Sequence, residues 1–154
     1  MSTTESAAAS RTTAGETPAE RRLRTLGVAM VIALLVELLL GMANAFWLSL
    51  PESGSGWKAA GPQALLYNHI FVGAAIAVLG VWIAVGAWRA RCRGWLVASG
   101  VGMLGILAGF GGGSAFMGDV GDDLASFVMA AGCAVAIGAY AVGAAVIGRP
   151  AAAE

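Results

Sequence analysis

Two side chains in this sequence occupy costly places, and both can carry protons. Glu37 interrupts an otherwise apolar run, and His69, the single histidine, lies near the start of another. A carboxyl midway along a membrane-crossing helix is what a small proton-coupled transporter uses to exchange a proton for substrate. The structural alternative is a protonated Glu, hydrogen-bonded to a neighbouring helix and fixing its register. His69 admits haem ligation, metal binding or proton relay, with Met42 and Met117 on the same outer half as thioether candidates. One histidine cannot supply both ligands of a bis-His haem. The structural alternative for His69 is a ring hydrogen-bonded to Asn44 or to a loop carbonyl.

Gly41 and Asn44 follow Glu37 at four and seven residues, so all three share one helix face. Other motifs point away from catalysis. Asp119, Asp122 and Asp123 precede an apolar run, where acidic residues cap and complement a helix N-terminus. Gly111-Gly112-Gly113 has no following Lys-Ser/Thr and no preceding strand, so it is not a phosphate loop. Cys92 falls in a basic turn and Cys133 midway along a helix, at depths that forbid a disulfide. No CxxC, HExxH or GxSxG occurs. The chain is therefore expected not to be an enzyme and to need no cofactor or metal.

These residues must be positioned by membrane-crossing helices. Of the 154 residues, 58% are hydrophobic and only 12% charged, and mean hydropathy is +0.79. A soluble domain carries about twice that charged fraction, so too few polar groups remain to coat a water-facing globule. The zero formal net charge offers no footprint for nucleic acid. A spanning helix needs about 20 apolar residues, and four runs qualify: Leu26–Leu48, Tyr67–Trp88, Trp95–Ala115 and Leu124–Ile147. Glu37 falls about 16 Å along the first, near the bilayer midplane. The third is the weakest, because its Gly-rich end, GFGGGSAF, favours early fraying.

Residues 1–24 read as a disordered cytoplasmic tail, 25–148 as the transmembrane domain and 149–154 as a cytoplasmic C-terminal tail. Ala43-Asn44-Ala45 resembles a signal-peptidase site, but the apolar run is longer than a usual h-region and Glu37 breaks it. With the N-terminus inside, Arg11, Arg21, Arg22, Arg24, Arg89, Arg91, Arg93 and Arg149 are cytoplasmic and only Lys58 is outside, a strong positive-inside bias. Trp47, Trp88 and Trp95 are expected as interfacial anchors. The fold expected is an all-α transmembrane four-helix bundle, both termini cytoplasmic, in the plasma membrane.

Small residues recur at helical spacing: Gly73, Ala77, Gly80 and Ala84 after His69; Gly102, Gly105, Gly109 and Gly113; Ala134, Gly138, Ala141 and Ala145. In lipid, close backbone approach through such residues replaces the hydrophobic drive between helices. They are expected to pack the bundle, and one stripe to form a homo-oligomer or join a larger membrane complex.

The segments ELLLGMANAFWLSLP, HIFVG and GFGGGSAFMGDVGDDLASFVMA together resemble a family of small four-helix integral membrane proteins common in actinobacteria, across residues 37–140. Gly111 departs from that family's pattern, which has Asn there. The resemblance implies this fold and singles out Glu37, Asn44, His69 and Ser126, without implying an activity. The expected function is a non-enzymatic accessory or oligomerising membrane component. The alternatives are a proton-coupled transporter using Glu37 and, behind it, haem or metal binding at His69 on the outer face.

Overall fold

A computed structural model describes residues 17–47, 54–57 and 64–146. The described residues form four helices: α1 Pro18–Trp47, α2 Ala64–Arg89, α3 Arg93–Gly118 and α4 Asp123–Val146. Each is long and apolar enough to cross a membrane. They pack as an up-down-up-down ring in which α1 meets α2 and α4, α2 meets α3, and α3 meets α4 most extensively. Residues 1–16 of the expected tail lie outside the described residues, as do 48–53 and 58–63 of the first linker, Arg11, Lys58, Arg149, both expected span ends Leu48 and Ile147, and the tail 149–154.

The first helix starts eight residues before Leu26, so residues 18–24, expected in the tail, are helical. A reciprocal cap explains this. The Glu20 N–H donates to the Thr17 hydroxyl at 3.2 Å, while the Thr17 N–H and hydroxyl donate to the Glu20 carboxylate, each at 2.9 Å. Pro18 takes the first helical position, where a missing N–H costs nothing. This water-facing turn precedes the apolar stretch. Its backbone and hydroxyl hydrogen bonds hold the Glu20 carboxyl below its usual range.

The expected fraying of the third helix does not occur: α3 runs unbroken to Gly118. Its glycines are held by α4. A methyl added at Gly105 would meet the Gly132 carbonyl oxygen at 2.6 Å, and one at Gly112 would meet the Met129 nitrogen at 2.5 Å. The backbones touch, and that packing outweighs the low helix propensity of glycine. The buried face of α4 is Ala125, Gly132, Ala136, Tyr140 and Gly143. Of the expected stripe on this helix, Ala134, Gly138 and Ala145 instead point outward and Ala141 is half-buried.

Trp95 is not an interfacial anchor. Its side chain is fully buried, lodged against Gly27 of α1 and Gly143 of α4. Tyr140 fills the neighbouring layer against Gly102 of α3, with its hydroxyl toward Gly80 of α2. Trp88 and Trp47 do stand exposed, at 68% and 75%. At the opposite end, the first linker returns over the α3–α4 turn, where the Val120 N–H donates to the Gly54 carbonyl at 2.7 Å. Asp122 caps α4 by accepting from the Ala125 N–H at 3.0 Å.

Candidate functional site

Glu37, His69 and their neighbours form one constellation between α1 and α2. The two helices run antiparallel in a register that sets each polar residue opposite a glycine. The His69 ring lies over Gly41, where a methyl would meet its Cε1 at 3.4 Å. The Glu37 carboxylate lies over Gly73, where a methyl would meet Oε1 at 2.9 Å. The pairs Glu37-x-x-x-Gly41 and His69-x-x-x-Gly73 are thus one motif, each half making room for the other's side chain.

Across this space, His69 Nδ1 approaches Glu37 Oε1 to 2.9 Å. The oxygen lies off the ring N–H axis, so the contact is a close polar approach rather than an aligned hydrogen bond. Both side chains are largely withdrawn from the surface, with 26% of His69 and 15% of Glu37 accessible. Glu37 Oε2 is buried without a hydrogen-bond partner.

A third helix borders this space. From α3, the ring of Phe110 meets the same space over Gly73. The titratable group in contact with Glu37, among the described residues, is His69 on α2, while α3 presents an apolar ring. Among the described residues, no three His, Cys, Asp or Glu side chains converge to hold a metal ion.

Asn44 shares the Glu37 face but does not bond His69, as one expectation had it. Its amide donates to the Leu40 carbonyl at 3.0 Å and, more weakly, to the Leu65 carbonyl at 3.5 Å, tying the end of α1 to the start of α2. Ser126 is half-buried in the first turn of α4 and belongs to none of these contacts. Gly73 and Phe110 were not singled out as site residues by sequence reasoning; the spacing of His69 and Gly73, matching that of Glu37 and Gly41, was the signal available.

Glu37 and His69 are each of a type able to carry a proton. A Glu⁻–HisH⁺ pair and a GluH–His pair are both net neutral, so the two forms place the same net charge in an apolar interior. Binding one more proton makes the pair cationic, and losing one makes it anionic. The unpartnered Oε2 is the open acceptor. No protein-family model, curated protein or solved structure matches this chain.

Proposed function

We propose that this chain is a multi-pass protein of the plasma membrane, both termini cytoplasmic, that works as a small non-enzymatic proton-coupled component through Glu37 and His69. Four helices of spanning length and apolarity support the membrane reading, and the one-sided distribution of arginines supports the orientation. The observation that carries the proton role is the 2.9 Å approach of His69 to Glu37 inside the bundle. A charge midway along a membrane helix costs about 2.5–3.5 kcal/mol on insertion scales, and such groups mark proton and ion pathways. Purified protein in liposomes is expected to dissipate an imposed pH gradient, read by a trapped dye, when candidate cations are supplied on the opposite face. Glu37→Gln should fold and lose that flux. Equal flux from both proteins would overturn the reading.

A second reading, an accessory component that oligomerises, draws on the outward small residues of α4. Ala134, Gly138 and Ala145 are exposed, and the space around Gly138 is open, which suits a second helix at close range. Crosslinking in native membranes is expected to trap a homo-oligomer or a larger complex under this reading; recovery only as a monomer overturns it.

A further inference from the structure

The basic turn between α2 and α3 does more than bias topology. It closes on a cleft of about 540 Å³ lined by Ala87, Trp88, Arg89, Arg91, Arg93 and Leu96. Among the described lining residues, half are arginines and none is acidic. The only acid described at this end of the bundle, Glu20, is engaged with Thr17. Among the described residues, no acid faces the three arginines of the cleft.

The backbone reinforces this polarity. The C-terminus of α2 is closed by its own turn: the N–H groups of Ala90, Arg91 and Cys92 donate to Gly86, Trp88 and Ala87 carbonyls, each at 3.0 Å. At the start of α3, Cys92 supplies no side-chain cap, so the positive end of that helix stays open beside the arginines. Arg91 itself sits at φ +54°, a left-handed conformation that Gly or Asn adopts more readily. A topological signal needs only cations near the membrane; it needs neither an acid-free cleft nor an arginine in a strained turn.

The walls identify the occupant. Trp88 and Leu96 are 68% and 42% exposed, an apolar border on the side where the spans meet the cleft. Arginines bind phosphate with a forked, charge-assisted geometry. We propose that this cleft binds the phosphate of an anionic phospholipid headgroup in the cytoplasmic leaflet, with Arg89, Arg91 and Arg93 on the phosphate and Trp88 and Leu96 along the upper acyl chain. The proposal rests on the membrane reading above.

The test is native mass spectrometry of the detergent-solubilised full chain, titrated with phosphatidylglycerol or phosphatidylcholine. Wild type is expected to retain one phosphatidylglycerol in preference to phosphatidylcholine. The triple variant Arg89→Gln/Arg91→Gln/Arg93→Gln should lose that preference about a hundredfold, since each basic residue at a membrane surface contributes about fivefold. The surface variant Arg21→Gln/Arg22→Gln should keep it. If the triple variant fails to fold by circular dichroism, Arg93→Gln alone should lower the preference about fivefold. Equal retention of both lipids, or displacement of phosphatidylglycerol by excess inorganic phosphate, overturns the lipid site while the membrane reading stands. Recovery of the chain in water without detergent overturns both.

Discussion

Between α3 and α4, glycine lets two backbones touch; between α1 and α2, it makes room for two polar side chains. Gly105, Gly112 and Gly132 face carbonyl and amide atoms of the opposing helix, so nothing at those positions can rotate aside. Gly41 and Gly73 face the far ends of His69 and Glu37, which can move. One half of the ring is thereby a rigid plate and the other an adjustable polar seam. The bundle can thus confine the Glu37–His69 pair on α1 and α2 while α3 and α4 hold the opposite wall still.

The contrast predicts a graded series. The largest effect is expected at Gly105→Ala, where the new methyl meets backbone at 2.6 and 2.8 Å. The two helices must part, at about 3 kcal/mol of stability, read by unfolding in mixed detergent. Gly138→Ala, facing open space, should change stability by less than about 0.5 kcal/mol. If the two variants unfold alike, the plate is not packed as described.

Next in size is the coupling across the seam. Glu37→Gln and His69→Gln, with the double variant, should give a double-mutant-cycle interaction of about 1–2 kcal/mol. Simple additivity would mean that the 2.9 Å approach carries no energy. Gly73→Ala follows. Its methyl meets Glu37 Oε1 at 2.9 Å and Phe110 Cζ at 3.1 Å, both ends of movable side chains, so the expected loss is about 1 kcal/mol. The same substitution should shrink the Glu37–His69 coupling, and an unchanged cycle on that background would contradict the shared space.

The smallest effect lies outside both interfaces, at the first turn of α1. Because the fold lowers the Glu20 carboxyl through the Thr17 hydrogen bonds, the cap is fully present above the ordinary carboxylate range. It is lost as pH falls through the lowered value. Protection of the amides at residues 19–22, taken relative to their intrinsic exchange rate at each pH, should fall on acidification, while the unfolding of the core does not move. Thr17→Ala should abolish that pH dependence.

The sequence made the four helices and the interior face of α1 legible, because Glu37, Gly41 and Asn44 repeat at helical spacing. It also carried the start of α1, in the Thr17-Pro18-Ala19-Glu20 box, although the tail composition around it spoke for disorder. The unbroken third helix was illegible, since glycine propensity argues against it and only contact with α4 reverses that. The phase of α4 was equally hidden: alanine and glycine occupy nearly all its faces, so periodicity alone could not choose the one that Tyr140 turns inward. The Glu37–His69 approach was missed for a geometric reason. Glu37 precedes the end of α1 by ten residues and His69 follows the start of α2 by five. Counting depth from level helix ends places them apart, and stagger between helices is set by packing.

The most direct measurement of the central claim is an infrared difference titration of the full chain in nanodiscs, comparing wild type with Glu37→Gln and His69→Gln. The account predicts a carboxyl band, absent in Glu37→Gln, that interconverts between acid and carboxylate with pH and whose titration moves when His69 is replaced. A Glu37 band fixed in one protonation state wherever the protein stays folded, and indifferent to His69, would contradict it.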